Sequence, residues 1–215
     1  LVERSALEDG TVRTHWATDV PIPTKVMVIG AARFAVDTLA VVDGIPVEAW
    51  VYPQNREAGF HDFALAERAL RFFLDGVGPF PYAKLANVQS KTRYGGMENA
   101  SAVFYSERAV RGDRRNEGLI VHEIAHQWFG DSVTELKWPH VWLSEGFATY
   151  LTHLYNETTY GRELLVEGLE RDRRTVLRYF AERPELPLVP EQLTDPNEML
   201  NRNAYQKGAW VLHML

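Results

Sequence analysis

Apolar residues recur along this chain with two different periods, and the change falls near residue 53. From Thr11 to Tyr52 the pattern is β-like. Thr11 to Thr18 mixes β-branched and aromatic residues, and Pro21 and Pro23 interrupt the pattern after it. Lys25 to Ile29 and Phe34 to Val42 predict strands. Asp43-Gly44 is a strong hairpin turn signal, with Ile45 to Tyr52 as the return strand. Pro53 to Gly59 is polar and turn-rich, which predicts a domain boundary.

Beyond that point the spacing becomes helical. Phe63, Ala66, Leu70, Phe73 and Leu74 share one helix face, and Gly76 is placed to cap its end. Pro79-Phe80-Pro81-Tyr82 is a rigid turn, and Lys84 to Ser90 and Ala102 to Ser106 predict strands on either side of Gly95-Gly96. Three helices come next: Asn116 to Phe129, with Asn116 and Gly130 as caps; Ser144 to Asn156; and Leu164 to Phe180, where Glu170 to Arg174 reads as a solvated face. Glu182 to Pro196 is Pro-rich and predicts loop. Ala204 to Leu215 reads as a last helix with Ala204, Trp210, Val211 and Met214 on its apolar face. No Gly, Asn or Pro ends it, and the chain opens at Leu1 rather than at an initiator Met. A piece of a longer protein is therefore expected, from which any leader could already be gone.

Composition narrows the classes. The chain has 215 residues, 46% hydrophobic and 24% charged, which suits a soluble globular core of one or two domains. A net charge of -6 argues against nucleic acid as a partner, because phosphate binding needs clustered Lys and Arg. With no cysteine, a disulfide scaffold and a Cys-ligated metal are excluded. No apolar run approaches the roughly 18 residues of a transmembrane segment. The compartment stays open.

The chemistry concentrates in His122-Glu123-Ile124-Ala125-His126. Residues four apart on a helix stand one turn above each other on the same face, so two imidazoles there can bind one metal ion. Glu123 lies about 100° around the helix from His122, off the ligand face yet within reach of a water on the metal. Catalytic zinc takes three protein ligands and keeps one position open. Glu145, on the next predicted helix, is the candidate third ligand; alone it would be an ordinary carboxylate at a helix start. His15, His61, His140, His153 and His213 lack metal spacing.

The run His122 to His126, succeeded after an 18-residue gap by Glu145-Gly146, resembles the gluzincin metallopeptidases. Gly95-Gly96-Met97-Glu98-Asn99, Trp142 to Ala148, and Tyr205-Gln206-Lys207-Gly208-Ala209 are similar to the M1 zinc aminopeptidases, a family that also includes leukotriene A4 hydrolase. The likeness covers about residues 11 to 215. It implies an α/β (α+β) fold: a thermolysin-like catalytic domain over 54–215, truncated at its C-terminal end. Residues 1–53 would be the last strands of a β-rich N-terminal domain, and further domains of the same parent chain are expected.

The resemblance also implies roles. His122, His126 and Glu145 would bind one zinc ion. Glu123 would be the general base in a zinc-dependent hydrolysis of the N-terminal peptide bond by zinc-activated water. Glu98 would hold the free α-ammonium group of a peptide substrate, with Gly95, Gly96, Met97 and Asn99 beside it along an edge strand, and Tyr205 would stabilise the oxyanion. Away from the metal motif, Gly95-Gly96 would be a turn, Glu98 a surface charge and Tyr205 a core residue. Asp131, Ser144 and Pro139-His140 depart from the family pattern at positions that orient ligands or lie in loops. The rivals are a thermolysin-type endopeptidase, an epoxide hydrolase, and a zinc-stabilised binding module without activity.

Overall fold

The computed structural model describes residues 2–215. Two strands, β1 (Glu3–Ala6) and β2 (Val12–His15), form a small antiparallel sheet of their own. β1 is absent from the sequence expectations because four residues are too few to display a period. The main sheet has five strands in the order β3-β4-β5-β7-β6, from β3 (Ala35–Val42), β4 (Ile45–Val51), β5 (Leu85–Ser90), β6 (Gly96–Met97) and β7 (Ala102–Ser106). The β3–β4 hairpin turns at Asp43 and Gly44, both with positive φ (50° and 84°), the backbone geometry that matches the twist of the flanking strands. β4 pairs in parallel with β5, and β5 with β7. The sheet therefore runs across the boundary expected at residue 53.

Lys25 to Ile29 is not a strand. Thr24–Val26 forms a single 3-10 turn, and Ile29 is 96% exposed with no partner strand. The Val26 carbonyl accepts instead from the Ala100 amide (3.2 Å), so this segment backs the turn after β6. In the turn-rich run Pro53 to Gly59, a 3-10 turn over Pro53–Asn55 leads into helix α1 (Arg56–Phe63). Asp62 on α1 accepts from the backbone N–H groups of Arg111, Gly112 and Arg114 at 2.7, 2.8 and 2.9 Å, which fixes the loop leading to the next helix.

Helix α2 (Leu65–Gly76) buries Leu65, Ala66, Ala69, Leu70 and Phe73 at helical spacing against the sheet. Gly76 is its last residue rather than its cap; Gly78, at φ 143°, makes the reversal. β5 is buried along nearly its whole length, as a central parallel strand with both faces covered must be. The core is completed by Val47, Ala49, Val51, Val103 and Tyr105 from the sheet and by Ile120, Val121 and Ile124 from α3 (Glu117–Ala125). Asn116 precedes α3, but its side chain does not cap the helix and donates to the Ala109 carbonyl instead (2.8 Å). α3 ends short of Phe129, and the chain continues in tight turns to Gly130 at φ 126°.

The C-terminal half is helical: α4 (Trp142–Tyr160), α5 (Arg162–Glu182), the short α6 (Pro196–Met199) and α7 (Gly208–Met214). The expected helix over Ala204 to Leu215 is split, because Asn203–Lys207 adopts a π turn before α7. α4 and α7 touch backbone to backbone. A Cβ on Gly146 would lie 3.0 Å from the Gly208 Cα, so only glycine allows this approach. α4 and α5 are tied by the buried His153 Nε2 to Asp172 Oδ2 contact of 2.7 Å. Among the described residues, no helix is long and apolar enough to cross a membrane.

Candidate metal centre

His122 and His126 lie at the end of α3, one turn apart, and Glu145 faces them from the first turn of α4. The three candidate ligand atoms form a compact triangle. His126 Nε2 lies 3.1 Å from His122 Nε2, and Glu145 Oε2 lies 3.2 Å and 3.3 Å from the two nitrogens. A tetrahedral zinc ion with bonds of about 2.0 Å needs ligand atoms about 3.3 Å apart, so this set fits one face of such a site and leaves the fourth position free. Among the described residues this is the one His/Cys/Asp/Glu cluster able to hold a metal ion. His122 is only partly buried while His126 and Glu145 are buried, so the open side of the triangle lies toward His122.

The charge balance points the same way. Glu123, Asp131 and Glu145 are buried here, and the charge of Glu98 bears on Glu123, His126, Asp131 and Tyr205. Burial, then the neighbouring carboxylates, push Glu123 well above the usual carboxylate range, although His126 pulls it down. Burial likewise drives Asp131 up to about 8, with Glu98 adding to it. For Glu145, burial is outweighed by His126 and His122, and its carboxyl is held well below the normal range. Burial lowers His122; for His126 burial acts the same way but the charges of Glu145, Glu98 and Glu123 win, and it is raised. A pocket with this surplus of negative charge suits a dication, whose field would draw the carboxyl pKa values down.

Several contacts orient these groups. The outer nitrogen of His126, Nδ1, lies 3.0 Å from both the Phe129 carbonyl and Ser144 Oγ. Donation from Nδ1 leaves Nε2 as the ligand atom, which is the usual way a second contact fixes a metal-binding tautomer. Gly130 is required beside them, since a Cβ there would lie 3.0 Å from His126 Nδ1. Glu123 packs on the backbone of Gly96: a Cβ at that position would fall within 2.5 Å of its Cγ and Cδ. Gly96–Met97 is β6, the edge strand of the sheet, paired antiparallel with β7 through Gly96↔Tyr105 and Met97↔Phe104. Gly95 precedes it, Glu98 comes directly after it and is half-buried, and Asn99 is buried with Nδ2 3.4 Å from the Val26 carbonyl. Tyr205 sits in the π turn and its ring stacks on His122 at 6.0 Å and 18°. Burial and the nearby Glu145 push its phenol pKa up, so it stays a proton-bearing donor.

The residues singled out from the sequence thus gather around one point, drawn from β6, α3, α4 and the π turn. One participant carried no sequence signal of its own: Gln127 lies next to the metal motif but reads as an ordinary helix residue. Gly208 belongs to the Tyr205 to Ala209 motif, and its contact with Gly146 supplies the physical reason for a glycine there.

Fold and site together define an α/β protein with a candidate His/His/Glu metal centre. Comparison with known proteins takes the assignment one step further: the Peptidase family M1 domain matches residues 63–215, and the chain belongs to that family. It is similar to leukotriene A-4 hydrolase of Xenopus laevis, 29% identical over 229 residues, which takes in 98% of this chain and 37% of that one. Human aminopeptidase N is 29% identical over 221 residues, covering 94% of this chain and 23% of the relative. The chain therefore spans little more than a third of the first relative and about a quarter of the second. In fold it matches a structure of yeast LTA4 hydrolase in complex with bestatin, with a TM-score of 0.76, 21% identity, and coverage of 85% of this chain and 30% of that one.

Proposed function

We propose that the parent protein is a zinc-dependent aminopeptidase that hydrolyses the N-terminal peptide bond of peptides. The observation that supports this is the packing of the Glu123 side chain, next in the chain to the candidate ligand His122, on the backbone of Gly96 in the edge strand that precedes Glu98. His122, His126 and Glu145 would hold the ion. When bound, zinc supplies a Lewis acid and lowers the pKa of water at the site.

The chain's own residues do the rest. The substrate backbone adds to the open edge at Gly95–Met97, as extended peptides add to sheet edges. Glu98 pairs with the α-ammonium group, a charge-assisted contact that measures one residue from the N-terminus. Glu123 takes a proton from the attacking water as the carbon–oxygen bond forms, then delivers it to the leaving amine as the carbon–nitrogen bond breaks. The Tyr205 hydroxyl donates to the oxyanion. Ser144, the serine beside His126, is buried against the outer ring nitrogen and not the ligand nitrogen, and the chain has no cysteine, so a single displacement without a covalent intermediate is expected. For domain organisation, we keep residues 54–215 as the catalytic unit and 1–53 as the end of a preceding β domain. The separate β1–β2 sheet favours that division, and the pairing of β4 with β5 draws residues 35–51 toward the catalytic side.

The test is hydrolysis of a panel of aminoacyl anilides and their N-acetylated analogues by the full-length protein, with chelator and with zinc restored. Release from free substrates alone, abolished by chelator and recovered with zinc, is the expected result. Equal cleavage of acetylated analogues would make it an endopeptidase. Bound zinc with no release from any substrate would favour an epoxide hydrolase or a binding role.

A further inference from the structure

Gln127 comes directly after the second ligand histidine, and its side chain is fully buried (0% exposed). Its hydrogen bonds go to one neighbouring segment and one acid. Its Oε1 accepts from the Ser101 amide at 2.7 Å, while its Nε2 donates to the Glu98 carbonyl at 3.1 Å and to Asp131 Oδ2 at 3.0 Å. Glu98 and Ser101 are the two ends of the turn between β6 and β7. That turn carries strain, because Ser101 holds φ at 66°, a left-handed conformation unfavourable for a residue with a Cβ. On its other side the turn is met by the Val26 carbonyl, which accepts from the Ala100 amide at 3.2 Å. One buried carboxamide beside the ligand helix therefore clamps the backbone of the residue assigned to the substrate's amino group.

We propose that Gln127 is a positioning residue that sets the span between the Glu98 carboxylate and the His122/His126/Glu145 centre. This rests on the aminopeptidase assignment above. An exopeptidase needs that span to match the distance from an α-ammonium group to its own carbonyl, and a displacement of about 1 Å can cost about a hundredfold in rate. On the substrate side the N–Cα–C angle fixes the distance from the amino nitrogen to the carbonyl carbon. The protein side depends on the bonds from Gln127, because Glu98 lies on a turn and not within a strand.

The experiment compares wild type, Gln127→Met and Gln127→Asn in the full-length zinc-loaded protein. Met keeps the length and apolar volume and removes the amide; Asn keeps the amide and shortens its reach. Binding of leucine hydroxamate and of its analogue lacking the amino group is measured for each variant, with zinc content and Tm recorded. The ratio of the two affinities reports the ammonium contact alone, since both ligands engage the metal. We expect Gln127→Met to reduce that ratio about tenfold or more, with zinc retained, and to raise KM for free aminoacyl anilides. Should the Met variant fail to fold, the Asn variant is read by the same ratio. An unchanged ratio, or an equal loss for both hydroxamates, would overturn the positioning role while leaving the aminopeptidase assignment standing. A wild-type ratio near one would instead remove Glu98 as the ammonium anchor, and the assignment with it.

Discussion

Gly96→Ala is the most direct probe of how the edge strand and the base fit together. The backbone at Gly96 is not left-handed, so alanine carries no conformational penalty there and the effect is steric. The new methyl group would overlap the Glu123 side chain, with 2.5 Å to both Cγ and Cδ, well inside van der Waals contact. Glu123 is buried and cannot swing into solvent, so either the carboxylate or β6 must shift by about 1 Å. Overpacking of this kind costs about 1–3 kcal/mol of stability. The larger effect falls on turnover, because a displaced base loses much of its contribution of about 10²–10⁴ in rate. We expect kcat to fall about a hundredfold, or ~2.7 kcal/mol in activation free energy, with zinc still bound. Gly95→Ala is the internal control, since its Cβ would meet only Leu119 Cδ2 at 3.5 Å and Cδ1 at 3.6 Å, ordinary contacts. Aminoacyl anilide kinetics, zinc content and thermal melts on the two variants decide the matter. Equal, near wild-type turnover in both would show that the packing of Glu123 on Gly96 plays no part in the chemistry.

Three further outcomes are expected. Ser144→Ala removes a hydroxyl from His126 Nδ1 but leaves the Phe129 carbonyl, so zinc affinity measured against a competing chelator should fall about tenfold, with unaltered affinity excluding Ser144 from ligand support. Gly208→Ala pushes a methyl group to 3.0 Å from the Gly146 Cα and 3.3 Å from the Trp142 carbonyl, where only backbone can yield; the Tm should drop by several degrees and kcat should fall as the Tyr205 turn is displaced, whereas an unchanged kcat would separate the helix contact from the site. Glu117 is partly buried, but hydrogen bonds from Tyr155, Tyr160 and Arg68 outweigh the burial and hold its carboxyl below the ordinary value. A depressed carboxyl stabilises the fold above its unfolded value of about 4.3 and loses that stabilisation as pH falls through its lower folded value. Melts at pH 7 and pH 3 should therefore show a larger acid loss in wild type than in Glu117→Gln, and equal losses would exclude the cluster from acid stability.

Much of this protein is legible from local pattern. The metal motif is a single helical turn, and its spacing alone puts His122 and His126 on one face whatever the rest of the chain does. The hairpin at Asp43-Gly44, the buried face of α2 and the long helices α4 and α5 come from periods set by backbone geometry. Relations between distant segments are another matter, since no period encodes them. Lys25 to Ile29 carries strand-forming residues, yet it pairs with no strand, and its Val26 carbonyl meets the turn after β6 instead. Taken alone Gly95-Gly96 reads as a turn, and although the resemblance implies an edge strand there, only the fold lays Glu123 against Gly96. Gly146 and Gly208 fall in motifs that the sequence displays, but nothing along the chain says that two helices meet at their backbones. Gln127 is a helix residue like its neighbours until the fold buries its amide opposite Glu98 and Ser101. The sequence by itself named the candidate groups and determined that two of them share a helix face. Only tertiary packing decided the span between those groups and the edge strand β6, because that distance is set by contacts across the sheet and helices rather than by spacing along the chain.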